Sequence, residues 1–265
     1  MIPNILAQIA KSVAVRLKAR QEQLSEDELR SRIPHARRPH DFEAAFRQPG
    51  IHTIAEVKFR SPALGVLDTS GAELALEIAD SYLRGGATAI SVLTEEDHFL
   101  GSPDYLKAIR EAFPQARLLM KDFVLGEYQV MEALINGADA VLLIVALLGP
   151  EQTRDLIQFA KTLGLSALVE VHDEAELKQA LQAGASLIGV NNRNLKTLEV
   201  SLENSHRMAK NRVEGKIFIS ESGITTSAEI KALFRAGYQG FLVGSILMTS
   251  KDPGEQLQNL IAGAE

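Results

Sequence analysis

The chain has 265 residues, 46% of them hydrophobic, with a net charge of −6 and no cysteine. That length and apolar content suit either two small domains or one α/β barrel, and the lack of cysteine removes disulfides, thiolate nucleophiles and cysteine metal sites together. Charges of both signs interleave along most of the chain, which points away from a nucleic-acid or membrane surface and toward small-molecule binding, and a reducing cytoplasm fits.

In chain order, the segment from Ile2 to Arg20 is amphipathic, basic and free of acids. A mitochondrial transit peptide reads this way, but Ile5, Ile9 and Val13 are equally spaced for a helix docked on protein. Arg30, Arg32, Arg37 and Arg38 read as a solvated loop or helix face. From Thr53 onward, apolar runs alternate with amphipathic segments of about ten to fifteen residues, the rhythm of βα units. The runs are Thr53 to Lys58, Thr88 to Leu93, Arg117 to Lys121, Ala140 to Val145, Ser166 to Val171, Leu187 to Asn191, Ile217 to Glu221 and Gly240 to Gly244. Each is apolar almost throughout, as strands covered on both faces should be. The longest apolar stretch, Ala140 to Leu148, is too short to cross a bilayer. Gly85-Gly86, Gly137, Gly164, Gly184 and Gly237 fall where helices should stop, and Asp173 with Glu176 should open one. Eight units without a break in composition predict a single (β/α)8 barrel over residues 51–265, preceded by a helical extension over residues 1–50.

Active sites of such barrels sit at the C-terminal strand ends. Polar residues end the runs here: Glu56 and Lys58, Lys121 and Asp122, Glu170, Asn191, Glu221 and Ser222, then Gly244 and Ser245. Period-two alternation puts Glu56 and Lys58 on one face. Alone they could be an ion pair closing the barrel top, but two lysines and at least two carboxylates at one rim need a ligand or a mutual network to hold them. Ser222-Gly223-Ile224 and Gly244-Ser245 follow the seventh and eighth runs, where phosphate is commonly bound. A phosphate monoester substrate is the natural expectation. His35, His40, His52, His98, His172 and His206 are scattered without metal-ligand spacing, and His98 with Glu95, Glu96 and Asp97 reads as an exposed loop. With no GxGxxG or Walker loop, a reaction without metal or cofactor is expected.

These motifs resemble the indole-3-glycerol phosphate synthase family over essentially the whole chain. The resemblance is carried by Ile54-Ala55-Glu56-Val57-Lys58 with Ser61-Pro62, Ala89 to Thr94 with Phe99 and Gly101-Ser102, Lys121-Asp122-Phe123, Val169-Glu170-Val171, Gly189 to Arg193, Ser220 to Ile224 and Phe241 to Ser245. The segment from Ile5 to the Asp41-Phe42 helix start resembles the family's extension over the barrel mouth. Such a family member would be a carboxy-lyase of tryptophan biosynthesis. It would convert 1-(2-carboxyphenylamino)-1-deoxyribulose 5-phosphate to indole-3-glycerol phosphate, with loss of carbon dioxide and water.

The resemblance implies Lys121 as general acid at the substrate carbonyl, Glu56 and Lys58 as a coupled pair beside it, and Glu170 as an acid-base group at the anilinium nitrogen. It implies Asn191, Arg193, Glu221 and Ser222 as orienting residues, and Ser61, Gly223, Gly244 and Ser245 as the phosphate site. Pro62, Phe99, Phe123, Leu142, Leu195 and Leu198 would wall the aromatic ring. The lysines could be lowered in pKa by mutual repulsion or held charged by the glutamates. Association with other enzymes of the pathway is left open. The sequence departs from the usual pattern at Ala63-Leu64, where the family has Ser and Lys, and at Gly126-Glu127, where Asp-Pro is common. The nearest rival, a phosphoribosylanthranilate isomerase, works with a cysteine, which this chain lacks. A silent phosphometabolite-binding barrel would be expected to have lost a rim lysine or glutamate.

Overall fold

The structure is a computed structural model that describes residues 4–61, 65–68, 71–195 and 197–264. Eight strands form the barrel: β1 (His52–Val57), β2 (Ala89–Leu93), β3 (Leu118–Lys121), β4 (Ala140–Ile144), β5 (Ser166–Val171), β6 (Leu187–Asn191), β7 (Ile217–Glu221) and β8 (Gly240–Val243). Each lies parallel to the next, and β8 returns to β1 with Val243 opposite Ala55, which closes the ring. All eight expected runs are strands, with small shifts at their ends. Lys58 lies just past β1, and the β4 ladder stops with Ile144 opposite Glu170, so Val145 begins a helix instead of ending the strand.

Among the described residues three α-helices precede β1: α1 (Asn4–Gln23), α2 (Glu26–Arg32) and α3 (Phe42–Phe46). The barrel helices and their short companions follow as α4 (Ala72–Arg84), α5 (Glu96–Phe99), α6 (Pro103–Ala112), α7 (Glu127–Ile135), α8 (Val145–Thr162), α9 (Glu174–Gln182), α10 (Glu203–Met208), α11 (Ser227–Arg235), α12 (Ser245–Met248) and α13 (Pro253–Ala262). Gly86, Gly137, Gly164, Gly184 and Gly237 all take left-handed backbone where helices end, a conformation costing an L side chain about 1–2 kcal/mol. Asp173 caps α9 by accepting from the Glu176 amide. Among the described residues no helix is long and apolar enough to cross a membrane.

Strand alternation divides the core in two. Ala55, Val57, Ile90, Val92, Leu118 and Met120 point outward into the layer beneath the helices, whereas Ile54, Ala89, Leu119, Leu142, Leu168 and Ile219 fill the barrel interior. Phe42 and Phe46 of α3, both fully buried, join that interior cluster and cover one end of it, beside Gly240 at the start of β8. Leu6 of α1 belongs to the same cluster, and with Ile5 and Ile9 it lines the mouth cavity described below.

Two polar clamps fix these N-terminal helices. At the mouth, Arg16 binds Glu96 (2.5 Å) and Asp97, while Arg20 binds Glu132 at 2.8 Å. At the opposite end, fully buried Asp139 accepts from Arg37 (2.9 Å), Arg110 (2.5 Å) and the amides of His40 and Leu118. Two sequence expectations are corrected by these contacts. Arg37 is no solvated charge, because Asp139 would otherwise be an uncompensated buried carboxylate. The segment from Glu95 to His98 is no free loop either: Glu95 is buried, caps α5 with three backbone amides and meets the His98 ring at 3.0 Å.

Candidate active site

The interior parity that places Ile54, Leu119, Leu168 and Ile219 inside the barrel carries forward to the strand ends. Glu56, Lys58, Lys121, Glu170, Asn191 and Gly244 all face a cavity of about 400 Å³ at the C-terminal mouth, and Glu221 stands buried behind Lys121, 2.6 Å from its ammonium. Ser61, Phe99, Phe123, Leu142, Arg193, Leu195, Leu198, Ser222, Gly223 and Ser245 line the same cavity. Every sequence-derived site residue among the described positions except Glu221 lines this cavity, and Glu221 joins the group through its ion pair with Lys121. Pro62 and the Ala63-Leu64 departure lie outside the described residues. At the second departure Gly126 serves as N-cap and Glu127 opens α7. A wider polar groove of about 1110 Å³ adjoins this mouth between α9 and α10, but the converging lysines and most of the carboxylates belong to the smaller cavity.

The charges form one network. Lys58 Nζ lies 2.5 Å from Glu56 Oε1. Lys121 Nζ lies 2.6 Å from Glu221 Oε2 and 3.6 Å from Glu170 Oε2. Burial works to lower the Lys121 pKa, yet the charges of Glu221, Glu170 and Glu56 raise it well above the ordinary lysine value. Of the two states open to the lysines, Lys121 takes the one held charged by glutamates. The carboxylates diverge. Burial opposes ionisation of Glu170, but the His172 ring 3.2 Å away and the Lys121 charge pull it down to about 2. Burial pushes Glu221 up to about 7, opposed by Lys121 and reinforced by Glu170 and Glu56. Glu56, buried beside Lys58 and Lys121, is held below its usual range.

Local packing positions these groups. A Cβ at Gly189 would overlap Glu221 Oε1, and one at Gly244 would lie 2.6 Å from Glu56 Oε1, so both glycines make room for a carboxylate. Buried Asn192 donates to Ser220 Oγ and to the carbonyls of Glu221 and Ser222, each at 3.0 Å, which pins the β7 end. Asn191 accepts from the Arg193 amide at 2.9 Å, and the Arg193 guanidinium donates to the Leu198 carbonyl at 3.0 Å. Ser222 (φ +67°) and Gly223 (φ +87°) are consecutive left-handed residues, and a Cβ on Gly223 would collide with Val200. The Ser222-Gly223 turn and the first turn of α12 at Ser245 both border the cavity, where backbone amides can meet an anion. In the same cavity, the Phe99 and Phe123 rings pack at 5.9 Å between centroids, and Leu142, Leu195 and Leu198 line it with them.

Sequence reasoning missed two acidic or basic contributors. His172, counted among the scattered histidines, sits with Nε2 3.2 Å from Glu170 Oε1 and Nδ1 3.0 Å from Glu176 Oε2. Its position two residues after Glu170 was the available signal, the same i, i+2 spacing that pairs Glu56 with Lys58. Asp122, noted at its strand end but given no role, lines the cavity, accepts from Thr94 at 2.6 Å and is pushed up to about 6 by burial. Among the described residues no cluster of three or more histidine, aspartate or glutamate side chains is arranged to hold a metal ion.

Comparison with known proteins gives a consistent result. The family model described as Indole-3-glycerol phosphate synthase matches residues 5–260. A protein of that name from Mycolicibacterium gilvum is 46% identical over 258 residues, covering 97% of this chain and 94% of the relative. One from Carboxydothermus hydrogenoformans is 44% identical over 244 residues, covering 90% and 89%. Among solved structures, the 3-hexulose-6-phosphate synthase of Salmonella typhimurium superposes with a TM-score of 0.67 at 18% identity, covering 80% of this chain and 98% of that one, a likeness of fold alone.

Proposed function

The chain belongs to the indole-3-glycerol phosphate synthase family, and on that premise we propose how its side chains divide the work. The activity is the carboxy-lyase step of tryptophan biosynthesis, in which a phosphorylated substrate closes its pyrrole ring with loss of carbon dioxide and water. Ring closure turns a carbonyl oxygen into an alkoxide, which must be protonated; dehydration then needs an acid at the hydroxyl and a base on the nitrogen side.

The observation that carries the assignment is Lys121, its stem rising from the barrel floor and its ammonium ringed by Glu56, Glu170 and Glu221. An ammonium kept protonated by three carboxylates always carries the proton that an alkoxide, whose own proton affinity is high, can take. Lys121 is the general acid of ring closure. Glu56 keeps Lys58 oriented beside it, and the pair supplies a second cation at the reacting oxygen. Glu170, ionised, is the base for the nitrogen side. Glu221, near neutrality in its affinity for protons, orients Lys121 and exchanges protons with it. Asn191 and Arg193 orient the substrate, with Ser222 at the rim.

The phosphate fits between Ser61, Gly223, Gly244 and Ser245, and the anthranilate ring fits the wall of Phe99, Phe123, Leu142, Leu195 and Leu198, which we extend to Ile5 and Ile9 of α1. Residues 1–50 serve as the extension that completes this wall. An apolar wall favours loss of the carboxylate, because decarboxylation removes a charge that the wall solvates poorly. The cytoplasm is the proposed compartment, in keeping with a cysteine-free chain of net charge −6. Adding the carboxyphenylamino sugar phosphate to pure protein tests the reading: indole fluorescence should rise with turnover, and its absence refutes it.

A further inference from the structure

Both ring nitrogens of His172 face carboxylate oxygens, Nε2 toward Glu170 at 3.2 Å and Nδ1 toward Glu176 at 3.0 Å. Ionised carboxylates only accept hydrogen bonds, so a neutral imidazole would point a lone pair at one of them; the doubly protonated ring donates from Nδ1 to Glu176 and meets Glu170 as an ion pair, its buried Nε2 having no aligned hydrogen bond among the described residues. The ring is also held in place. Glu176, from the first turn of α9, takes the His172 backbone amide at 2.8 Å with the same oxygen that meets Nδ1. Glu170 is thus flanked by two cations, Lys121 from β3 on one oxygen and His172 on the other, with Glu221 of β7 the carboxylate facing it across Lys121. Glu221 has Lys121 alone for its ion pair among the described residues, and its Oε1 is buried without a hydrogen-bond partner there.

We propose that His172 is a positioning residue for the reaction, an imidazolium that aims Glu170 at the substrate and keeps it anionic, so that Glu170 rather than Glu221 is the resident base. This rests on the role given to Glu170 above. In the dehydration, the leaving hydroxyl takes a proton from the acid and departs as water, while Glu170 takes the proton released on the nitrogen side of the new ring. The acid ends deprotonated and Glu170 ends neutral, so the two exchange states over the step. His172 keeps both its protons throughout and acts by its charge and its hold on the carboxylate. Its own affinity for protons agrees: burial works against the charged ring, but Glu170 and Glu176 raise it to about 10.

Two measurements test the proposal. Nitrogen NMR of the resting wild-type protein should show both ring nitrogens of His172 protonated at pH 7.5; a neutral ring overturns the proposal, whether or not the protein turns over substrate. Kinetically, His172→Gln keeps a hydrogen-bond donor near Glu170 but removes the charge, so Glu170 returns to or above its ordinary affinity for protons. The ratio of kcat at pH 5 to kcat at pH 7.5 should then fall by roughly two- to tenfold more than in the wild type, with KM nearly unchanged. A kcat loss of equal size at every pH, or none, overturns the proposal. If His172→Gln does not fold, Glu176→Gln carries the same test, with the His172 titration moved downward and the pH 5 loss in the same direction. Wild-type protein without turnover refutes the function proposed above instead, and the ring protonation still decides the state of His172.

Discussion

Replacing Lys121 by methionine keeps the stem that packs within the barrel and removes the ammonium. The structure fixes what each carboxylate loses. Glu56 retains Lys58 at 2.5 Å and Glu170 retains His172 at 3.2 Å, whereas Glu221 loses its 2.6 Å partner. Glu221 already binds protons up to about 7 against an ordinary value of 4.5, so without Lys121 it takes a proton instead of remaining a bare buried charge. A carboxyl whose affinity is raised by folding contributes stability that is full below about 4.5 and lost as pH rises through its folded value. The variant extends that window upward. Its melting temperature should therefore approach that of the wild type at pH 6 and fall further behind at pH 9. The chemistry has no such rescue. Loss of a general acid costs about 10²–10⁴-fold, or roughly 3–6 kcal/mol of barrier at about 1.4 kcal/mol per decade. Single-turnover fluorescence, thermal melts at both pH values and product binding on the same variant separate the effects. Near-normal turnover with a melting temperature already collapsed at pH 6 would refute the assignment and make Lys121 a structural counter-ion.

Three further outcomes are expected. Ser245→Glu places a fixed negative charge at the anion end of the cavity and should raise KM at least tenfold with the melting temperature little changed, as steady-state kinetics will show; Gly244→Asp is a poorer probe, since its Cβ would press on Glu56. Gly189→Ala should expel the Glu221 carboxylate from its bond with Lys121, lowering kcat by about tenfold or more and stability by about 1–3 kcal/mol, measured by kinetics and denaturant melts; unchanged kcat would show that the Glu221 position is unimportant. Asp139→Asn removes the charge that joins Arg37, Arg110 and the His40 amide, and should cost about 3–5 kcal/mol in denaturant unfolding while leaving KM unaltered, because the cluster lies at the opposite end of the barrel; a KM change of the same size as the stability loss would contradict this separation.

The barrel was legible because its signals are local. A strand covered on both faces must be apolar along its length, a left-handed helix stop must favour glycine, and both show in a one-dimensional reading. The same holds for Glu56, Lys58, Lys121 and Glu170, since strand alternation and the polar ends of apolar runs predict which side chains reach the mouth. Charge partners were not legible. Arg37 and Asp139 are 102 residues apart, and Arg16 and Asp97 are 81 apart; Arg37 reads as solvated until packing removes water from Asp139, and nothing local joins Arg16 to Asp97. His172 shows the boundary between the two kinds of information. The period of the strand could have placed it beside Glu170, but only the return of α9 against β5 brings Glu176 to its other nitrogen. The sequence alone determined which residues face the mouth, because alternation is a property of the backbone. Tertiary structure decided which of them are charged, because the free energy of a buried ion depends on every neighbour that replaces its water.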